Sequence, residues 1–281
     1  MLLAFTQWTP RTLSGVSTRS RDTPAVATGP PISAVGRTAA VLRAVSAAEP
    51  DGITTAETGR ATGLARPTAH RLLTALQEEG LVDRAAGSGR WLLGPELYLL
   101  GAAAQPRYDV TDHAAPAVRR LAEATGESAF FSVLRGEETV CLLREDGSFP
   151  LRSHVLHVGI RFPLGVASAG LAMLSYLPDG EIDAFLARTD LSAYGEAHAP
   201  DAVRRRVRRT RRDGYALNPG LLVEGSWGMG AAIFDATERP RWALSLTGVE
   251  RRFDPARRRE LGPLLLREAH ELGRRLRAAG R

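Results

Sequence analysis

From Val35 onward, apolar positions recur at a helical period. Ala39, Leu42, Ala44, Val45 and Ala47 form a stripe that predicts a first helix over about residues 36–48, closed by the turn-forming run Glu49-Pro50-Asp51-Gly52. A second short helix follows, started by a capping threonine at Thr54 or Thr55 with Glu57 close behind, and stopped at Gly63. The third segment, residues 67–79, opens on Pro67, whose missing N–H would have no partner at a helix start. Ala69, Leu72, Leu73 and Leu76 fall at i, i+3, i+4 and i+7 and predict one buried face, opposite His70, Arg71, Thr74 and Gln77, with Gly80 as the stop. Residues 81–84 and 90–93 read as two short strands around a glycine-containing loop, a hairpin wing. An apolar connecting helix over residues 95–106 comes next.

Beyond it the pattern mixes helices and strands. Residues 114–125 form an amphipathic helix, with Val118, Leu121 and Ala122 inward. Residues 129–134 and 138–144 read as a strand pair around Arg135-Gly136-Glu137, and residues 150–157 as a further strand. The apolar, small-residue run 166–176 predicts a buried helix, followed by helices over 181–189 and 202–212. Strands at 230–234 and 242–247 and a final helix over 254–279 complete the pattern. Paired strands with helices set apart from them imply an α+β layered domain rather than a parallel sheet.

The expected division is therefore a tail (1–34), a winged helix-turn-helix (35–94), a linker helix (95–106) and an α+β domain (107–281). Residues 1–34 are rich in Ser, Thr, Pro and Gly with no sustained period, which reads as a disordered tail or an over-long gene start. At 281 residues and 44% hydrophobic content, two packed domains are expected. The net charge of +6 favours a polyanionic partner, but all 37 basic residues are arginine, so part of that charge reflects coding habit. A single cysteine, Cys141, excludes an intrachain disulfide framework and fits the cytoplasm. No apolar run reaches the ~18 residues of a membrane span, so no membrane partner is expected.

The chemistry follows from placement. A three-helix unit with a wing can lay its third helix in the DNA major groove while the wing reaches the backbone. Arg66, Pro67, Thr68, His70 and Arg71 stand at the exposed start of that helix, and Arg90 at the base of the wing is a phosphate or minor-groove candidate. The block from Arg204 to Arg212 reads either as a second nucleic-acid surface or, preferably, as a solvated helix anchored by Val203 and Val207. Ser245 and Thr247 alternate with Leu244 and Leu246, so their hydroxyls share one sheet face, turned either to a cavity or to solvent. Small residues at Gly165, Ala167, Ala169 and Gly170 leave room for a ligand or for close strand packing. Cys141, in a strand between Val140 and Leu142, reads as a buried inert thiol. No metal-ligand spacing, phosphate loop, nucleophile elbow or dinucleotide fingerprint occurs, so no metal, cofactor or catalytic residue is expected.

The run Gly63-Leu64-Ala65-Arg66-Pro67-Thr68-Ala69-His70-Arg71-Leu72-Leu73, with Glu79-Gly80-Leu81-Val82 and Gly89-Arg90-Trp91-Leu92-Leu93-Gly94, resembles the IclR family of bacterial regulators. That family usually places a small hydroxyl residue where Pro67 stands. The resemblance continues through Gly159-Ile160-Arg161-Phe162-Pro163-Leu164, residues 212–218, Glu224-Gly225 and residues 243–248. It implies a GAF-like second domain that binds a small metabolite and alters DNA affinity. It also implies pocket residues Leu151, His154, Ser168, Ala169, Gly228, Ser245 and Thr247. Gly165, Val166, Ala167 and Gly228 replace bulkier or more polar family residues, which implies a roomier, less polar pocket. Expected partners are double-stranded DNA, a small-molecule effector and further copies of the chain, as a dimer or tetramer. The alternatives are an arginine-driven nucleic-acid binder without sequence preference and, more remotely, an enzyme with a vestigial DNA domain.

Overall fold

A computed structural model of the chain describes residues 33–104, 110–151 and 155–280. The tail expected over residues 1–34 lies outside them except for its last two residues, which belong to the first helix. Helix α1 (Ala34–Ser46) starts two residues earlier than its pattern indicated, because Ser33 caps it by accepting the Gly36 N–H at 3.1 Å. Its buried residues are Val41 and Val45; Leu42 is half-buried and Ala47, beyond the helix end, is exposed. The larger valines, rather than the alanine stripe, set the inward face.

Helix α2 (Thr55–Thr62) begins with a full capping box: Thr54 Oγ1 accepts the Glu57 N–H at 3.2 Å, and the Glu57 carboxylate accepts the Thr54 N–H at 2.8 Å. Helix α3 (Arg66–Glu78) buries Ala69, Leu73 and Leu76, with Leu72 half-buried. It ends at Gly80, whose φ of 67° is open to glycine without strain; the Gly80 N–H donates to Gln77 O and the Leu81 N–H to Leu76 O, tying off two terminal carbonyls. Strands β1 (Val82–Arg84) and β2 (Trp91–Leu93) then pair antiparallel as the wing. Trp91 is the keystone of this small core. It packs with Val41, Val45, Ile53, Leu73, Leu76 and Val82, its main chain exchanges two hydrogen bonds with Ile53, and its indole N–H donates to Thr55 Oγ1 at 2.9 Å. Helix α4 (Pro95–Ala104) follows and buries none of its side chains.

The remaining described residues build one antiparallel sheet in the order β5-β4-β3-β8-β7-β6. Its strands are β3 (Ser128–Arg135), β4 (Glu138–Glu145), β5 (Arg161–Pro163), β6 (Ala216–Pro219), β7 (Ser226–Phe234) and β8 (Pro240–Val249). Helices α5 (Val110–Thr125) and α9 (Pro255–Ala278) cover one face, over Phe131, Met229, Ile233, Leu244 and Leu246. Helix α6 (Ser168–Ser175), buried along its whole length, lies on the other face against β7 and β8, backed by α7 (Asp179–Arg188) and α8 (Pro200–Asp213). The α+β layering expected from the pattern is the architecture found.

Two strands differ from expectation. Of the strand expected over 150–157, residues 152–154 lie outside the described residues and the rest form no strand; the outer edge of β4 is taken by β5, and Cys141 exchanges main-chain bonds with Gly159 and Ile160. Strand β6 went unread because Asn and Pro are poor strand formers; its place comes from pairing with β7. Cys141 is buried as expected, and burial pushes its thiol up to about 12.

The arginine block is α8 itself, held inward by Val203, Val207 and Thr210 and stopped by left-handed Gly214. Its charges are largely spent within the domain: Arg204 pairs with Asp183 and Asp201, Arg209 and Arg212 with Asp213, and Arg211 with Asp179. Arg206 turns inward instead and donates to Ala197 O at 3.0 Å. Beside it, fully buried His198 donates from Nδ1 to Tyr194 O at 2.8 Å, the role a carbonyl acceptor requires. Burial, aided by the Arg206 charge, holds the His198 imidazole below its ordinary 6.5. The unfolded chain therefore takes up a proton that the folded chain resists, and stability present above about pH 6.5 is lost as the pH falls through the folded value. Melting temperatures between pH 7.5 and 5 should fall less steeply for His198→Gln than for the parent chain; an unchanged slope would remove His198 from the acid response.

Candidate nucleic-acid interface and ligand pocket

Helix α3 projects its first turns from the domain. Arg66, Pro67, His70 and Arg71 are exposed and Thr68 is half-buried. The side chains of Arg66, His70 and Arg71 make no hydrogen bond or ion pair with any described residue, so their donors are available. Ala65, which caps α3, offers no side-chain oxygen to the first turn. The helix therefore presents its positive dipole end on the side that carries these two arginines, while its Thr68 and Ala69 N–H groups both donate to Ala65 O. At 13 residues it is about 20 Å long, enough to lie along a major groove.

Arg90 behaves differently from expectation. Its Nε donates to Gly52 O at 3.0 Å and its Nη2 to the Glu57 carboxylate at 3.1 Å, so it fastens the wing to the capping box of α2. The Thr54 bonds, and then Arg90, hold the Glu57 carboxyl below its usual range. Sequence spacing could not reveal this, because the partners lie 33 and 38 residues away. Arg84, which the sequence reading passed over, is the exposed wing arginine. It lies 5.5 Å over the Trp91 ring, with Nε donating to Gly89 O at 3.1 Å.

In the second domain the start of α6 sits over the glycines of β7. A Cβ at Gly230 would stand 2.6 Å from Ser168 O, and one at Gly228 would stand 3.1 Å from Ser168 Oγ. Only side-chain-free strand positions let the helix lie this close. Thr247 pairs across the ladder with Gly228 and Ser245 with Gly230, which puts both hydroxyls on the face under α6, as the alternation indicated. Ser245 and Thr247 are buried, and neither hydroxyl has a hydrogen-bond partner. Two unsatisfied buried hydroxyls are costly unless something else occupies their vicinity.

A small cavity opens at this point, lined by Ser168, Gly228 and Thr247 together with Asn218, Trp227 and Leu156. Ala169 and Ser245 lie one step deeper, under the helix, in the buried packing. Leu151 is 64% exposed and does not line the cavity, and His154 lies outside the described residues. The small residues give no wide chamber: open space is about 20 Å³, room for roughly one water, with Val155, Leu156, Leu222 and Trp227 also in the lining. Helix α6 has no side-chain cap, so its first N–H groups, Ser168 to Gly170, have no intrahelical partner. Asn218, missed as a site residue although it ends a recognised stretch, steadies the approach to the helix: its Nδ2 donates to Val166 O at 2.9 Å and its Oδ1 accepts the Leu221 N–H at 3.0 Å. Its only sequence signal was a polar residue inside an apolar run.

Comparison with known proteins places both halves. Residues 34–86 match the IclR helix-turn-helix domain, and residues 102–274 match the C-terminal domain of bacterial transcriptional regulators of the IclR type. The transcriptional repressor IclR of Escherichia coli is 27% identical over 89% of this chain and 93% of its own length. The regulator TtgV of Pseudomonas putida is 31% identical over 69% of this chain and 73% of its own length. Among solved structures, an IclR homologue from Microbacterium hydrocarbonoxydans, complexed with 4-hydroxybenzoate, superposes with a TM-score of 0.70 at 23% identity, covering 88% of this chain and all of that one. A Rhodococcus regulator gives 0.69 at 27% identity, over 87% of this chain and 98% of its own. With a DNA-binding helix-turn-helix domain ahead of the family's C-terminal effector-binding domain, the chain belongs to the IclR family of bacterial transcriptional regulators.

Proposed function

We infer that this regulator reads its operator through the first two turns of α3 and senses a small carboxylate at the start of α6. The observation that carries the sensing half is the buried, unpartnered hydroxyl of Thr247 in the cavity at the uncapped N-terminus of α6, with the equally unpartnered hydroxyl of Ser245 one step deeper. Converging hydroxyl and N–H donors suit a carboxylate, and the apolar cover of Leu156, Leu222 and Trp227 suits a hydrocarbon or aromatic body. The complex of a relative with 4-hydroxybenzoate supports this class. Entry requires the covering side chains to give way, and that displacement is the structural change a ligand would stabilise.

Arg71 and Arg66 offer guanidinium forks to guanine edges or phosphates, and His70 and Thr68 add shorter contacts. Pro67 contributes shape rather than a hydrogen bond. Helix α4 leaves Tyr98, Leu99 and Leu100 exposed at 78%, 58% and 53%, an apolar surface suited to pairing with a second copy. A dimer would set two α3 helices into successive major grooves, and dimers could pair again into tetramers. The protein acts on DNA in the cytoplasm and carries out no chemistry of its own in this reading.

Operator affinity tests the reading half. Arg71→Ala should weaken specific binding by about 1–3 kcal/mol and relax base preference, whereas Arg208→Ala on α8 should leave both nearly unchanged. Equal effects of the two would point to binding by overall charge. For the sensing half, saturating 4-hydroxybenzoate should raise the melting temperature of the intact protein. The paired substitution Ser245→Ala with Thr247→Val, which keeps the packing and deletes both hydroxyls, should weaken that ligand roughly tenfold. An undiminished thermal shift in the pair would move the ligand elsewhere.

A further inference from the structure

The larger of the two cavities described here is not the one the sequence indicated. It measures about 150 Å³ and lies at the opposite ends of the same two elements that frame the first. Helix α6 begins with Ser168 at the first cavity and is capped by Tyr176 at the second. Strand β7 enters at Ser226 to Gly228 beside the first and ends with Ile233 and Phe234 at the second.

Its walls combine two kinds of chemistry. Tyr176 and Phe234 meet edge to face at 5.2 Å and, with Leu266, make an apolar recess. Glycines hold it open: Gly214, the left-handed cap of α8, and Gly273 of α9 present no side chain to it. On α9, Leu266, His270, Gly273 and Arg277 are spaced four, three and four apart, so one helix face lines the recess with an apolar residue, an imidazole and a guanidinium in sequence. Arg277 has no carboxylate partner among the described residues; it makes one long bond, 3.3 Å, to Phe234 O. The nearby Glu271 is committed to Arg274 and Arg275. Tyr176 uses its hydroxyl on Gly214 O at 3.2 Å, leaving its ring to the recess.

We propose that this cavity is a second ligand site, for a small aromatic monocarboxylate whose ring enters the Tyr176–Phe234 recess and whose carboxylate meets Arg277 and His270 at the mouth. The volume fits: about 150 Å³ is the size of space that accommodates a benzene ring, and the apolar part of this recess is the wall formed by Tyr176, Phe234 and Leu266. An unpaired guanidinium at an apolar opening provides the charge-assisted bond that orients such a molecule. Because α6 and β7 run between the two cavities, a molecule wedged between Tyr176 and α9 would bias the seating of α6 on β7. The site stands independently of the effector reading; only its influence on operator binding rests on that reading.

Fluorine NMR titration of the full chain with 4-fluorobenzoate tests it. Two saturable sites per chain are expected. Arg277→Ala, at an exposed position, should weaken one of them by about tenfold or more, and Arg277→Lys, which keeps the charge, should recover most of that loss. The Ser245→Ala, Thr247→Val pair should weaken only the other. A single site insensitive to Arg277→Ala, two sites both insensitive to it, or no saturable binding would each overturn the second site. A single site lost with Arg277→Ala but not with the hydroxyl pair would uphold it and count against the effector reading instead.

Discussion

The close seating of α6 on strand β7 is the contact on which the sensing half of this regulator depends. A Cβ at Gly230 would stand 2.6 Å from Ser168 O, so the helix can reach the sheet only where the strand carries no side chain. From that approach follow the complete burial of α6, the exposure of its uncapped first turn to a small cavity, and the stranding of the Ser245 and Thr247 hydroxyls beneath it. A side chain at Gly230 would lift the helix, admit water to the hydroxyls and dissolve the site. The same seating leaves α6 as a short rod with a cavity at each end. In the effector reading proposed above, its position is what a ligand would shift.

The DNA-reading half is organised around a different contact. Trp91 of the wing fills the small core, and Arg90 beside it is tied to Gly52 and to the carboxylate that caps α2. Wing, turn and helix start thus share one buried aromatic and one charged knot, which fixes the orientation of the hairpin without drawing on the exposed arginines of α3. Arg66 and Arg71 make no ion pair with any described residue, and the structural duty falls to Arg90.

Much of the fold was legible because its signals are local. Helix α3 is written in the spacing of Ala69, Leu73 and Leu76 with Gly80 behind them, and the shared face of Ser245 and Thr247 in simple alternation. What stayed hidden depends on distant partners. Strand β6 owes its place to pairing with β7, and the outer edge of β4 is taken by β5 rather than by a strand ahead of it. Arg90 carries the same positive charge as Arg71, and only the carbonyl of Gly52 and the carboxylate of Glu57 decide that one is structural and the other available. Ser168, Gly228 and Thr247 line one small cavity, whereas Leu151 faces solvent. The open space among these small residues is about 20 Å³, with Leu156, Leu222 and Trp227 in its lining.

If sequence-specific reading by α3 answers to occupancy of the α6 pocket, promoter preference and ligand state must be coupled. A competition gel shift tests both parts at once, using duplex from the promoter region of the protein's own gene neighbourhood against random duplex at ~150 mM salt, with and without 4-hydroxybenzoate. The expected result is a clear preference for the promoter duplex that survives this salt and a promoter affinity that changes when the carboxylate is present. Equal binding of both duplexes, indifferent to the carboxylate, would contradict it.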